Sequence, residues 1–285
     1  MKSLQAFIFF TAGFLCMCLT ACQEDAKKIR FTKYEVSDSV LLVANCKSGS
    51  PVCKASIALT LLQADSANQY ARQVREINRY IIDKILVTCE GAAPEKAAEV
   101  YVTKQMKEFT STVKDLYYED LKMLDEQSHL PQEQQSGVNS LASSYNYTFN
   151  VESEAKLGYA DSVVCFKLKN YEFTGGAHGM TVETDVTFSL STGHPILPEQ
   201  VFKSGSKDQL IKRLTQKLMD MKHVKTQEQL REIGYLDISD MFISQNMLLE
   251  KDSIKFHYDP YDIAPYVFGD LTISFSYQEL RDIMN

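Results

Sequence analysis

Residues 181–190 read TVETDVTFSL, and their side chains alternate in character at every second position. Residues 145–152, YNYTFNVE, alternate in the same way, with aromatic or branched side chains on one side. A period of two predicts strands with one buried and one solvated face, which is typical of antiparallel sheets. The predicted buried face of the first stretch consists of Val182, Thr184, Val186, Phe188 and Leu190.

Helical and extended patterns occupy separate blocks on either side of these strands. Apolar residues at three- and four-residue steps predict helices, and further alternation predicts more strands. The fold class expected from such blocks is α+β, with antiparallel sheets and helices packed on one face. The predicted helices cover 67–87, 95–125, 207–221 and a short terminal segment. Further strands are predicted at 241–249, 254–258 and 271–275, and the segment 34–62 is predicted to contain a pair of strands. A polar linker is predicted at 126–140.

The N-terminus has the pattern of a lipoprotein signal peptide. Lys2 precedes an apolar run from Leu4 to Leu19, which is followed by Thr20, Ala21 and Cys22. This lipobox predicts cleavage after residue 21 and a lipid on Cys22, because the run is short and small residues precede the cysteine. An uncleaved N-terminal anchor is the alternative. The predicted location is the bacterial cell envelope, lipid-anchored on the periplasmic face or the cell surface.

The chain of 285 residues is long enough for a two-part ectodomain behind this leader. A polar tether is expected at 22–33, an N-terminal α+β part at 34–180 and a C-terminal α+β part at 181–285. The net charge is −7, which argues against a nucleic-acid partner, since such binding relies on basic patches.

The cysteines suggest an exported protein. Cys46 and Cys53 bracket a turn-rich stretch between two predicted strands, so a disulfide between them is expected. Cys89 and Cys165 are the two cysteines left over, and they would either form a second disulfide with each other or remain buried free thiols.

Recognisable catalytic and metal-binding patterns are absent from the sequence. The five histidines are not spaced three or four residues apart, so no metal site is predicted. No nucleophile elbow, P-loop or dinucleotide fingerprint occurs, and therefore no cofactor and no catalytic residue is predicted.

A glycine-rich turn, FTGGAHG at 173–179, lies between two predicted strands. Its three glycines permit positive φ angles and a tight reversal. His178 is then either an exposed contact for a ligand or a side chain that fixes the turn.

A second loop, FHYDPYDIAPYVFG at 256–269, combines aromatic and acidic residues with two prolines. Residues 237–270 contain seven acids and two lysines, so the local charge is strongly negative. The loop is a candidate binding surface, with the alternative that its aromatic residues pack onto the sheet. The candidate ligand-binding residues here are Asp259, Tyr261, Asp262 and Tyr266.

These two motifs, together with TFSLSTG at 187–193, resemble a bacterial envelope family. The C-terminal part is similar to the lysozyme-sensing ectodomain of an anti-sigma factor (RsiV-like). The part before Gly175 resembles the companion domain of peptidoglycan deacetylases (PdaC-like). The resemblance implies an envelope protein, but no catalytic residue of either relative matches a position in this chain.

The function expected from these observations is that of a non-enzymatic, membrane-anchored lipoprotein that binds an envelope ligand. The ligand would be a cationic protein such as lysozyme, or cell-wall glycan. The alternatives are an envelope glycan hydrolase with His178 and nearby acids in acid/base roles, or a structural accessory protein.

Overall fold

The computed structural model describes residues 28–43, 50–126, 138–236 and 241–285. The predicted signal peptide, Cys22 and Cys46 lie outside these residues. The first strand begins at Arg30, inside the segment expected to be a tether.

The N-terminal part is built on a five-stranded sheet with the strand order β1-β2-β3-β4-β5. Three of its four strand pairs are antiparallel, as expected, but β2 and β3 are parallel. The parallel pair arises because a helical segment lies between these strands in the chain, and a helical crossover can return the chain in the same direction. The strands are β1 (Arg30–Leu41), β2 (Val52–Gln63), β3 (Tyr147–Leu157), β4 (Val163–Phe173) and β5 (Met180–Ser189).

Two helices cover one face of this sheet. Helix α1 (Ala71–Tyr80) continues through a π-helical turn, Ile81–Ile85, and a 3-10 turn, Val87–Cys89, so the helix predicted over 67–87 is only partly regular. Helix α2 (Ala97–Glu126) matches its prediction closely. Their apolar side chains pack on alternate residues of β2 in a single core, which includes Ile57, Leu59, Ile77, Phe109, Val113 and Phe188.

The predicted polar linker is only partly described. Its last residues begin helix α3 (Val138–Ser144), which leads into β3. Residues 127–137 lie outside the described ranges.

The C-terminal part contains a three-stranded antiparallel sheet with the order β6-β7-β8. Helix α5 packs its buried Leu210, Leu214 and Leu218 into a second core with the strand residues Ile254 and Phe256. Strand β6 is shorter than the predicted 241–249. The elements are α4 (Pro198–Val201), α5 (Lys207–Met221), α6 (Gln227–Glu232), β6 (Met247–Leu249), β7 (Ser253–Tyr258), β8 (Leu271–Ser276) and α7 (Tyr277–Leu280).

Strand β5 joins the two parts. It is the last strand of the first sheet, although the sequence assigned it to the C-terminal part. Its free edge bonds to the second part: the amide of Asp185 donates to the Asn246 side chain (3.1 Å), and the amide of Leu249 donates to Thr187 (3.0 Å).

The face of β5 predicted to be solvated is therefore buried. Glu183, Asp185 and Thr187 are at most 3% exposed, whereas Val182, on the face predicted to be buried, is 44% exposed. The prediction was wrong because the C-terminal part covers this polar face.

Candidate functional site

Strand register places charges of opposite sign side by side on the covered face of the first sheet. In the antiparallel pair β4–β5, Lys169 lies opposite Glu183 and Lys167 lies opposite Asp185. Directly opposed residues on one face of a sheet are close enough to interact. Lys167 hydrogen-bonds to Glu183, and Lys169 Nζ lies 3.2 Å from the other carboxylate oxygen of Glu183.

The second sheet adds a histidine and a further acid to these residues. His257 on β7 is fully buried, and its Nδ1 lies 3.1 Å from Glu183 Oε1. Its Nε2 lies 3.2 Å from Asp259 Oδ1, and Asp259 also accepts the backbone N–H of Glu183 (2.8 Å). We call Lys167, Lys169, Glu183, Asp185, His257 and Asp259 the charged cluster.

The cluster shifts the pKa values of two of its members in favour of their charged forms. Burial raises the pKa of Glu183, but the hydrogen bond from Lys167 and the nearby His257 outweigh burial, and the pKa is lowered. Burial lowers the pKa of His257, but the hydrogen bond to Asp259 and the charge of Glu183 reverse this, and the pKa is raised.

Asp185 differs from its neighbours. Its side chain is 1% exposed, and within the described part of the chain neither carboxylate oxygen has a hydrogen-bond partner. Lys167 Nζ is 3.7 Å from Oδ1, which is an ion-pair distance but too long for a hydrogen bond. Burial raises the pKa of Asp185 to about 6.

Three members of the cluster form a potential metal-ligand group. One oxygen each from Glu183 and Asp185 and one ring nitrogen of His257 lie within 4.8 Å of one another. The histidine spacing predicted no metal site, because local motifs detect only ligands that are close in sequence. The alternation of acids at 183 and 185 was the available signal, but it was interpreted as a solvated face.

The glycine-rich turn and the 256–269 loop lie side by side. The ring of His178 stacks on Tyr266, with centroids 4.3 Å apart and planes inclined by 18°. The Tyr266 hydroxyl donates to the carbonyl oxygen of Gly179 (2.9 Å), and the ring of Tyr261 lies 5.6 Å from that of Tyr266. We call these two segments the loop surface.

The two candidate acids of the loop face inward. Asp259 belongs to the charged cluster, and Asp262 accepts the backbone N–H of Asp259 (2.8 Å). Both carboxylates therefore hold the loop in shape. Tyr258 also faces inward. Its side chain is fully buried, and its hydroxyl donates a hydrogen bond to the Phe242 carbonyl oxygen (2.8 Å).

The outer side of the loop is aromatic and apolar. Val267 is 85% exposed, Tyr261 is 59% exposed and Phe268 is 42% exposed. Tyr261 also has a φ of 76°, a left-handed conformation that is rare outside glycine and asparagine and recurs at functional sites. The sequence pattern missed the neighbouring Leu236, which is exposed and whose N–H bonds to Ile263 (3.0 Å).

A pocket of about 290 Å³ is lined by residues of both the charged cluster and the loop surface. Glu183 and Asp259 contribute to its lining from the cluster side, and Tyr266 and Val267 from the loop side. The pocket therefore opens to solvent beside Glu183, which is itself 3% exposed.

The arrangement around His178 does not resemble a catalytic site. The residue is exposed, its Nδ1 lies 3.1 Å from the carbonyl oxygen of Gly179, and its ring is stacked on Tyr266. Among the described residues, no carboxylate pairs with this imidazole, which a general acid/base role would favour.

The cysteines that the structure describes are free thiols. Cys53, Cys89 and Cys165 are all buried, and burial raises the pKa of Cys53 and Cys89 to about 11 and of Cys165 to about 12. Pairing of Cys89 with Cys165 was therefore wrong. Cys53 faces the core on β2, opposite Val40, but its predicted partner Cys46 lies outside the described residues, so the Cys46–Cys53 disulfide stays a prediction.

The comparisons with known proteins identify a domain family for the C-terminal part. Residues 199–278 match the family model described as "Protein of unknown function (DUF3298)". No curated protein matches the chain. Within the described ranges, no helix has both the length and the apolar character needed to cross a membrane.

Two solved structures are similar to the chain over nearly its whole length. A member of the DUF3298 family from Bacteroides fragilis has a TM-score of 0.73 and 24% identity, covering 91% of this chain and 95% of that one. A DUF3298 family protein from Pseudomonas aeruginosa has a TM-score of 0.50 and 14% identity, covering 91% and 96%. These identities show a shared fold, and the expectation of a domain of unknown function is confirmed.

Proposed function

We propose that this protein is a ligand-binding lipoprotein of the bacterial cell envelope, and that the loop surface is its binding site. The main support is the meeting of the two loops, which leaves Tyr261, Val267 and Phe268 of one loop exposed on a rigid base. Exposed apolar side chains grouped in this way mark protein interaction sites more often than isolated ones do. Tyrosines add contact area with few rotatable bonds.

The base of this surface is held rigidly. Asp259 and Asp262 accept backbone N–H groups, and Tyr266 bridges to Gly179. A pre-organised loop loses less conformational entropy when a partner binds.

The partner that fits best is a cationic envelope protein such as lysozyme, with cell-wall glycan as the second candidate. Even with Asp259 and Asp262 facing inward, the segment 237–270 has more acids than lysines, and charge of opposite sign accelerates association. The RsiV-like resemblance supports a lysozyme-type partner, and the PdaC-like resemblance supports a location near peptidoglycan.

The binding test uses lysozyme and purified peptidoglycan as probes. Tyr261→Ala and Val267→Asp should each weaken binding at least about tenfold, since central aromatic and apolar anchors dominate most interfaces. Tyr118→Ala removes a tyrosine that is 46% exposed on α2 and should leave binding unchanged. Equal affinities for all three variants, with unchanged melting temperatures, would show that the loop surface is only scaffold.

Anchoring requires a separate test, because Cys22 lies outside the described residues. Cys22→Ser should release the protein from membranes or block processing of the leader. Unchanged membrane partition and gel mobility would exclude lipidation.

A further inference from the structure

The covered face of β5 contains a carboxylate that no described protein atom satisfies. Asp185 is 1% exposed, and neither of its oxygens accepts a hydrogen bond. A buried polar group without a partner costs free energy, so natural structures usually supply a water molecule or an ion in such places.

Asp185 is directed into a group of ligand atoms of mixed chemistry. Its oxygen, an oxygen of Glu183 and a ring nitrogen of His257 lie within 4.8 Å of one another. Imidazole and carboxylate together are ligands that suit Zn²⁺, whereas hard ions such as Mg²⁺ prefer oxygen alone.

The histidine is oriented as metal-binding histidines usually are. The Asp259 carboxylate lies 3.2 Å from His257 Nε2, and Nδ1 faces Glu183 at 3.1 Å. A carboxylate on the far nitrogen fixes the ring and makes the near nitrogen a better ligand. Asp259 is itself fixed by the N–H of Glu183 (2.8 Å).

We propose that Glu183, Asp185 and His257 form a binding site for a divalent transition-metal ion, with Zn²⁺ as its first candidate. The site takes His257 from the buried start of the 256–269 segment, and the proposal does not depend on the ligand proposed for the exposed side of that loop. Three protein ligands leave at least one coordination position, which a water molecule can fill.

When no metal is bound, the ammonium group of Lys167 provides positive charge beside the carboxylates of Glu183 and Asp185. Its ammonium group contacts Glu183 and lies 3.7 Å from Asp185. Since its side chain is 31% exposed, the ammonium can move to solvent as an ion enters. Of the three proposed ligands, Glu183 lines the pocket, so an ion from solvent would reach the site first at this carboxylate.

The test is zinc titration of the full chain, purified in mild detergent and stripped with a chelator. Calorimetry and elemental analysis should show one Zn²⁺ per chain whose binding depends on Asp185. Asp185→Asn should weaken this binding, and Asp259→Asn should weaken it by about 10–100-fold, as is typical for residues that orient a ligand. Lys167→Met should tighten it, because the competing ammonium is gone.

The matched control is Asp252→Asn, which makes the same charge change at an exposed position and should leave affinity unchanged. The proposal is overturned if the wild type takes up no stoichiometric zinc, or if Asp185→Asn binds as tightly as the wild type. The buried oxygens would then contact water only. If Asp185→Asn fails to fold, unchanged affinity in Lys167→Met overturns the proposal instead.

Discussion

Both faces of β5 are partly buried, but they are buried in different ways. On one face, Phe188 packs into the apolar core under α1 and α2. On the other, Glu183, Asp185 and Thr187 lie against the C-terminal part and are surrounded by polar groups. The difference teaches that alternation identifies two faces, whereas burial of a face depends on what the rest of the chain places over it.

The polar face is further divided between two acids on the same strand. Glu183 interacts with Lys167, Lys169 and His257, which offset its burial. Asp185, two residues later, is buried without such bonds. Because an uncompensated charge in the interior is costly, the pKa values of the two carboxyls shift in opposite directions.

The largest expected effect lies on the apolar face. Phe188→Ala should lower the free energy of unfolding by about 3–5 kcal/mol, because Phe188 is fully buried and contacts Tyr80 edge-on at 5.4 Å. Urea denaturation at pH 7 measures it. The control Val182→Ala is on the same face but 44% exposed and should change stability by less than about 0.5 kcal/mol. Similar losses for both variants would mean that the face is not packed as described.

Glu183→Gln should have the next largest effect. We expect the free energy of unfolding to fall by roughly 2–3 kcal/mol, because Glu183 would lose ion pairs with Lys167, Lys169 and the buried His257. This is less than for a fully buried pair, since both lysines are partly exposed. Urea denaturation of Glu154→Gln, an exposed acid on β3, provides the control and should show no change. A neutral result for Glu183→Gln would mean that the charged cluster contributes little to stability.

Asp185→Asn should act in the opposite direction and stabilise the protein. In the folded wild type, the pKa of Asp185 is raised from 3.8 to about 6. Below pH 3.8 the carboxyl is protonated in both states and does not destabilise the fold. As the pH rises through 6, the folded state becomes progressively less stable relative to the unfolded state. That pKa shift corresponds to a destabilisation of the wild type by roughly 3 kcal/mol at neutral pH. The asparagine amide would remove this effect but would itself be buried without partners, so we expect the free energy of unfolding to rise by about 1–2 kcal/mol at pH 7.5.

The gain from Asp185→Asn should vanish near pH 4, where the wild-type carboxyl is protonated. Unfolding curves of both proteins across this range, recorded with a chelator present, measure the difference. A gain that does not depend on pH would show that ionisation of Asp185 is not its cause.

The smallest effect is expected at Thr187, whose side chain carries no charge. Its hydroxyl donates to the Met247 carbonyl (2.9 Å) and accepts the N–H of Leu249 (3.0 Å). Thr187→Val keeps the shape but removes both bonds, and should cost about 1 kcal/mol in urea denaturation. Thr181→Val, at an exposed position on the same face, should be neutral. An equal effect at both positions would argue against the bonds between β5 and β6.

The elements with strong local patterns were predictable. Helix α5 has the predicted bounds, and β7 and β8 lie where alternation placed them. Each of these elements carries its own apolar stripe, which local spacing reveals. The parallel pairing of β2 with β3 was not predictable in this way, because it depends on a long helical crossover.

The candidate site was predicted only in part. The sequence singled out His178, Tyr261 and Tyr266, and the fold brings these three together. It also singled out Asp259 and Asp262, whose carboxylates turned out to fix the loop from inside. The orientation of a side chain in an irregular loop depends on its hydrogen-bond partners, and those of Asp259 lie on two different strands.

By itself, the sequence determined the α+β class, the positions of most helices and strands, and the acidic, aromatic character of one loop. Only the tertiary structure decided that the polar face of β5 is buried and that Glu183 and Asp185 meet His257 there. The physical reason is distance along the chain. Periodicity and composition report on neighbours within a few residues, whereas this cluster joins strands that are more than 60 residues apart in sequence.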